Sequence, residues 1–241
     1  MNGADLLRLW ESGAGRTPLA RAVLLAAAAT GDAAPWDLPL PRRDRAILDL
    51  RRRLFGNRLP VDCACPACGA RLETALDLSA LDEATGGDVA SDEEEATVTV
   101  ASDVGNAAGP IRLRLPTSAD LFAALAGPGP AEAARARLVA RLAAPAGDGA
   151  LSDAMLPACA RALAEADPLI DPEIGFACPD CGADGRAPLD LPALVWAEID
   201  NAARHLMHDI HDLARAYHWG EAAILALSPA RRAAYLGMVR R

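Results

Sequence analysis

Apolar residues recur at helical spacing at both ends of the chain and alternate with polar residues in parts of its middle. A period near 3.6 predicts helices, and a period of two predicts half-buried strands. Helices are predicted at 6–10 and over 17–30, 42–55, 117–125, 131–142, 152–166, 193–217, 221–227 and 228–236. Strands are predicted over 61–63, 71–78, 96–101, 111–115 and 174–176. The predicted fold class is α+β, mostly helical.

Local sequence marks the ends of several of these helices. Thr17 and Pro18 form an N-cap followed by proline at the first helical position, and Gly31 follows the end of the same helix. In the helix 42–55, six arginines accompany a stripe of apolar residues. We expect the arginines to lie on a solvated face opposite that stripe.

One sequence pattern occurs twice, at an offset of 113 positions. C-P-x-C-G-A leads into L-D-L-x-A-L, first from Cys65 and again from Cys178. A C-P-x-C-G turn, here called a knuckle, brings two sulfurs together, and two knuckles supply the four thiolates of a structural zinc site. The sequence therefore predicts one zinc ion bound by Cys65, Cys68, Cys178 and Cys181.

The two remaining cysteines are expected to pack in the core. Extended backwards, the repeat aligns Val61 with Ile174 and Cys63 with Phe176, so Cys63 takes the place of a core residue. The C-x-C-x-x-C spacing leaves open that Cys63 competes as a zinc ligand. Cys159 lies in an apolar helical stretch, where a free cysteine is expected to be buried.

Charge and composition narrow the possible partners. The 241 residues carry a formal net charge of −9, which argues against general attraction to nucleic acid or to an anionic membrane. The longest apolar run, 22–29, is too short to span a bilayer, and no cleavable signal precedes the first helix, so a cytoplasmic protein is expected. Reduced cysteines there favour a metal site. A pair of redox dithiols is the alternative.

Nothing in the sequence indicates catalysis. A nucleophile elbow, a phosphate loop and a dinucleotide fingerprint are all missing. Asp77 and Asp190 occupy equivalent positions of the repeat and could be taken for an acid–base pair, but they fit helix N-caps or turns better. Four thiolates also leave a zinc ion no open position. We therefore expect a protein that is not an enzyme.

Three histidines recur at every third residue of the long predicted helix, at His205, His208 and His211. Residues three apart on a helix can share a metal ion, so a second metal site is one interpretation. The preferred interpretation is a solvated helix face, because the pattern contains no H-E-x-x-H motif.

The order of these segments resembles a known family. It comprises baseplate proteins and baseplate-hub assembly chaperones of contractile tails, in T-even-type phages and in phage-derived extracellular contractile injection systems. The most specific stretches are IHDLARAYHW (210–219) and ILALSPARRAAYL (224–236). Others lie at 17–22, 43–48, 54–56, 65–69, 112–121, 178–182 and 196–198. With its two knuckles, the chain resembles the zinc-bearing injection-system branch more closely than the T-even proteins.

The resemblance implies a non-enzymatic role in building the baseplate or hub, with baseplate or hub subunits as partners. The tail helices over 221–227 and 228–241 are the candidate partner surface, since a short helix that exposes Tyr235 and Leu236 could dock in a groove. The alternative is that these helices pack back on the long helix. A zinc-ribbon/helix-turn-helix nucleic-acid-binding regulator is the rival class, because a helix–glycine–helix run spans 202–241. The absence of a basic stripe and the acidic balance speak against it.

These predictions divide the chain into five parts built around a split four-cysteine zinc ribbon. They are an N-terminal helical region (1–59), the first zinc knuckle and strand (60–81), an inserted α+β subdomain (82–173) with an acidic loop, a hairpin and helices, the second zinc knuckle (174–192), and a C-terminal helical tail (193–241).

Overall fold

A computed structural model describes residues 2–32, 35–79, 97–100, 111–143, 153–167, 169–170 and 172–240. In these ranges the chain is a mixture of helix and sheet and is mostly helical. The helices are α1 (Gly3–Gly13), α2 (Pro18–Thr30), α3 (Leu40–Phe55), α4 (Ser118–Leu125), α5 (Ala131–Leu142), α6 (Leu156–Ala166), α7 (Leu191–Tyr217), α8 (Glu221–Leu225) and α9 (Pro229–Val239), with short 3₁₀ turns at Pro35–Asp37 and Asp153–Met155. None of the helices described here combines the length and hydropathy needed to cross a bilayer.

The strands form three separate antiparallel hairpins in the described ranges. They pair β1 (Arg58–Ala64) with β2 (Arg71–Asp77), β3 (Thr97–Val100) with β4 (Ile111–Arg114), and β5 (Glu173–Ala177) with β6 (Asp184–Pro188). The first and third hairpins carry the two knuckles. The second belongs to the segment between them.

The N-terminal helices pack on the N-terminal half of α7, the longest of the described helices. Leu25 of α2, Ile47 of α3, and Val195 and Ile199 of α7 are all completely buried in one core cluster. The predicted ends of α2 are confirmed, since the Thr17 hydroxyl accepts the Ala20 N–H at 3.3 Å and Gly31 ends the helix at φ +76°. The core of the N-terminal region is therefore completed by residues more than 140 positions later in the chain.

The expectation that the arginines of α3 face solvent is wrong for two of them. Arg43 and Arg51 are only 6 % and 1 % exposed. Each is buried because a carboxylate balances its charge: Arg51 donates Nε and Nη2 to the Glu198 carboxylate of α7, both at 2.8 Å. Arg43 donates to Asp44 at 2.7 and 3.1 Å and to the Ser118 hydroxyl at 3.1 Å. Helix α3 thus contacts protein on both sides.

The segment between the knuckles has its own core. Val100, Ile111 and Leu113, which lie in the two strands predicted by alternation over 96–101 and 111–115, are buried and pack against α5 and α6. Cys159 is completely buried in the same cluster, as predicted. The predicted acidic loop, residues 82–95, lies outside the described residues.

The helical tail packs back on α7. Leu236 of α9 is buried with Leu213 of α7 and Ile224 of α8. Tyr235 contacts Tyr217 and Trp219 edge-on, with ring centroids 5.6 and 5.0 Å apart. The candidate partner surface at Tyr235 and Leu236 is therefore largely covered by the chain itself.

The Arg51–Glu198 pair provides a test of what holds α3 to α7. Glu198→Ala leaves a buried guanidinium without its counter-charge, so we expect the free energy of unfolding to fall by about 3 kcal/mol. This is the lower end of the range for a broken buried pair, because the Glu198 side chain keeps 20 % exposure. Asp62→Ala breaks the exposed pair with Arg71 and should cost less than about 1 kcal/mol. Urea unfolding followed by circular dichroism measures both, and equal losses would contradict this view of the pair.

Candidate metal centre

Each knuckle is a tight backbone turn closed by two hydrogen bonds. In the first, the Cys65 N–H donates to the Ala70 carbonyl and the Gly69 N–H to the Cys65 carbonyl, both at 2.8 Å. The second knuckle repeats both bonds at equivalent positions, at 2.9 Å. Gly69 and Gly182 have φ of +76° and +70°, a conformation that is strained for residues with a side chain. The glycine of the C-P-x-C-G pattern is therefore required by the turn.

The hairpins that carry the knuckles keep the same register. Cys63 pairs with Leu72 in the first, and Phe176 with Gly185 at the equivalent positions of the third. Each hairpin thus has one large and one small residue at this pair of positions. The large residue lies on the second strand of the first hairpin and on the first strand of the third hairpin. The Phe176 ring covers Gly185 so closely that a Cβ added there would lie 2.6 Å from the ring. Phe176 and Leu72 pack together beside Cys65 and Cys178.

The four predicted cysteine ligands come together in space. Their sulfurs all lie within 4.8 Å of one another. The Cys65 and Cys181 sulfurs are 3.8 Å apart, and those of Cys68 and Cys178 are 3.7 Å apart. Sulfurs arranged tetrahedrally at about 2.3 Å from one ion are about 3.8 Å apart, whereas bonded sulfurs are about 2.05 Å apart. The arrangement fits one tetrahedral metal ion and is not a disulfide.

Hydrogen bonds to the sulfurs favour the first deprotonation and oppose the following ones. The backbone N–H groups of Cys68 and Ala67 lower the pKa of the Cys65 thiol to about 7. At Cys68 the N–H of Ala70 also favours the thiolate, but the neighbouring thiols and burial outweigh it and raise the pKa to about 12. At Cys181 the N–H of Ala183 favours the thiolate, but the Cys178 and Cys65 side chains and burial outweigh it, so the pKa of the Cys181 thiol is raised. A bound cation is needed to keep all four thiolates together.

The cluster has one buried side and one open side. Cys65 and Cys178, the first cysteines of the knuckles, are buried, and Cys68 and Cys181 are exposed. Residues Cys63, Leu72 and Phe176 cover the buried side. An ion bound here has all four tetrahedral positions filled by sulfur, so no position remains for a substrate or an activated water.

The two halves of the repeat also share a hydrophobic core next to the sulfurs. Its members include three equivalent pairs, each 113 positions apart, together with Leu48 of α3 and Leu169. The pairs are Val61 with Ile174, Leu76 with Leu189, and Leu78 with Leu191. Burial of these side chains brings the knuckles together from both sides, so the sulfur cluster does not depend on the metal alone.

The paired aspartates cap backbone turns, as the sequence indicated. The Asp77 carboxylate accepts the Ser79 N–H at 2.9 Å, at the end of β2. Asp190 accepts the Ala193 N–H at 3.0 Å and is the N-cap of α7. Asp77 therefore ends the first knuckle hairpin, and Asp190 begins the long helix after the second.

Other predicted candidates lie outside the cluster. Cys63 packs beside it but is not one of the four converging sulfurs. His205, His208 and His211 are exposed on α7. In the part of the chain that the structure describes, the four cysteines are the only group of three or more His, Cys, Asp or Glu side chains close enough to share an ion. The solvated-face interpretation of the histidines is the one that agrees with the structure.

An exposed apolar surface on α4 was not singled out by the sequence. Phe122 and Leu125 are 62 % and 65 % exposed. The available signal is the crowding of apolar residues around this eight-residue helix, because a short helix cannot bury all of its faces.

No known family model matches the chain, and no curated protein or solved structure is significantly similar to it.

The sulfur geometry predicts one metal ion per chain. Cys65→Ser should lose the ion and lower the melting temperature, because metal binding contributes directly to folding. Cys63→Ser, in the same hairpin, should keep the ion. Elemental analysis and thermal unfolding, before and after a chelator, measure both effects. A metal-free protein whose melting temperature is indifferent to chelator would contradict a structural site, and metal loss in Cys63→Ser would overturn the ligand set.

The two hairpins also allow a packing exchange to be tested. Gly185→Leu places a side chain where the Phe176 ring lies, and we expect it to lower the free energy of unfolding by about 1–3 kcal/mol. The double variant Phe176→Cys/Gly185→Leu reproduces the Cys63–Leu72 pair of the first hairpin and should recover most of that loss. Urea unfolding of the metal-loaded proteins measures it, and a double variant no more stable than the single one would refute the exchange.

Proposed function

We propose that this protein is a non-enzymatic assembly or structural component of the baseplate or hub of a contractile injection system or phage tail. In this proposal, Cys65, Cys68, Cys178 and Cys181 bind one zinc ion in a split zinc ribbon. The ion holds together chain segments that present surfaces to baseplate or hub subunits. The observation that carries the proposal is the convergence of four sulfurs from two knuckles 113 positions apart.

The donor set supports zinc as the metal. Four thiolates in a tetrahedron suit zinc or iron among the biological metals. The left-handed glycines of both knuckles and the backbone N–H groups directed at the sulfurs are features of a structural thiolate site. The alternative of two redox-active dithiols has less support. A redox dithiol uses the two sulfurs of one knuckle, whereas here the four sulfurs of both knuckles converge. Elemental analysis decides the metal: zinc supports the proposal, and stoichiometric iron contradicts it.

The baseplate role rests on the resemblance, and the stretches that carry the resemblance form helices, strands and turns of the fold. The stretch 112–121 contains β4 and the Thr117 N-cap, where Asp120 accepts from Arg114 at 2.6 Å. This ion pair and the N-cap bonds hold the pKa of Asp120 down, at about 2, against the effect of burial. The stretches 210–219 and 224–236 form the end of α7 and the tail packed on it. They are elements of one scaffold.

The nucleic-acid-binding alternative has less support. Arg240, in the predicted helix-turn-helix region, donates to Asp209 at 2.9 Å and to Asp212 at 3.0 Å. The second helix of that region, α8, spans only five residues. Arg240 is thus engaged by acidic residues of α7, and the formal charge of −9 opposes binding to phosphate.

Deletion and complementation test the role. Without the gene, we expect cells to make tubes and sheaths that lack a complete baseplate, as seen by electron microscopy, and a tagged copy should co-purify with baseplate or hub subunits. Cys63→Ser should restore assembly and Cys65→Ser should not, if the metal organises the partner surfaces. Normal particles in the deletion strain, or steeply salt-dependent binding to duplex DNA, would contradict the proposal.

A further inference from the structure

Two of the four exposed large apolar residues in the described ranges lie one turn apart on α4. These are Phe122 and Leu125; the other two, Met207 and Met238, lie on α7 and α9. Trp36, from the 3₁₀ turn before α3, contacts the Phe122 ring edge-on, with centroids 5.9 Å apart. Trp36, Phe122 and Leu125 are called the α4 patch below. It is continuous across two elements of the fold.

A groove of about 450 Å³ opens beside the α4 patch. Its walls come from the start of α2, one side of α4 and the first turns of α7, and they are mainly apolar. Leu125 belongs to both the patch and the groove, so the two form one apolar surface. The groove and the α4 patch together offer a longer apolar surface than the groove alone, as does a groove that receives an amphipathic helix.

The charges at the groove are uneven. Arg43 is fully engaged by Asp44 and Ser118. Arg21 lies with its guanidinium carbon 4.9 Å from the centroid of the Trp196 ring and uses Nε for the Gly13 carbonyl at 3.2 Å. Among the described residues, its two terminal nitrogens have no acceptor within hydrogen-bonding distance. An arginine that contacts an aromatic ring can still donate hydrogen bonds from its terminal nitrogens.

Asp190 also lines the groove and accepts the Ala193 N–H with one oxygen. The charge of Arg21 acts on Asp200 as well, but the Asp200 carboxylate takes its hydrogen bonds from Trp10 and Arg204. The negative charge of Asp190 disfavours a second carboxylate beside it. A partner's acidic residue is therefore favoured beside Arg21 over a position beside Asp190. This fixes the direction in which a charged helix fits.

We propose that the α4 patch and its groove bind an amphipathic helix of another protein, with apolar residues at i, i+3 or i+4, and i+7 in the groove and an acidic residue facing Arg21. This inference rests on the proposed function, because it places the partner contact of the assembly protein on α4. The α4 patch takes the role that the sequence had assigned to the tail helices, which pack on α7.

Photo-crosslinking in the native host tests the surface. Phe122 is replaced by p-benzoylphenylalanine, and Met238, 63 % exposed on α9, receives the same replacement as a control. Mass spectrometry should identify, for the Phe122 position only, one segment of another protein with the stated apolar spacing and an acidic residue on its flank. Crosslinks no more frequent than at Met238, crosslinks only to a second copy of this chain, or crosslinks only to lipid would overturn the proposal.

A synthetic peptide of the crosslinked segment then tests the chemistry. Leu125→Ser and Arg21→Glu should each weaken binding at least tenfold in fluorescence anisotropy, and Met238→Ser should not change it. Replacing the peptide's acidic residue with lysine should restore binding to Arg21→Glu. Circular dichroism confirms that each variant is folded, and Arg21→Gln serves as the milder change. Failure of the charge exchange would remove Arg21 from the site.

The outcomes separate this surface from the proposed function. A crosslinked helix from a protein outside any contractile particle would leave the surface standing and overturn the baseplate role. Co-purification with baseplate subunits without crosslinks from Phe122 would leave the role standing and overturn the surface.

Discussion

Repulsion among four thiolates is the constraint on which this structure depends. The sulfurs lie within 4.8 Å of one another, and the neighbouring cysteine side chains help to raise the pKa of the Cys68 and Cys181 thiols. The protein brings them this close with two identical turns and a shared core of equivalent leucine, isoleucine and valine residues. In the proposed metal-bound state, one ion turns that unfavourable proximity into a crosslink between segments more than 100 residues apart in the chain.

A second connection, made only of hydrogen bonds among side chains and backbone, joins the first knuckle hairpin to the helices. Arg51 extends from α3 to Glu198 of α7 and also donates to the carbonyls of Gly56 and Arg58, at the entry to β1. One buried guanidinium thus connects the N-terminal helices, the long helix and the first knuckle hairpin. The charge is acceptable inside the protein because its donors meet a carboxylate and two carbonyls.

The parts of the fold that were predictable are those that repeat or that carry local signals. The repeated pattern predicted which four cysteines converge, and caps such as Thr17 and Gly31 marked helix ends. Arg51 was misjudged because periodicity counts arginine as polar, and its partner Glu198 lies 147 residues away. The exposure of Phe122 was not predictable from periodicity, because it depends on which neighbouring elements cover α4. Long-range pairing and coverage were therefore not accessible from local pattern.

The placement of α7 has a consequence for how the chain is made. Val195 and Ile199 complete the N-terminal core, and Cys178 and Cys181 complete the metal site, so neither can close until the last third has been synthesised. During translation, helices α1 to α3 remain with their apolar faces unburied while more than 100 further residues are added. Such late closure favours slow folding and leaves a period in which a nascent chain is open to premature association. Only after α7 is released from the ribosome can folding become cooperative along the whole chain.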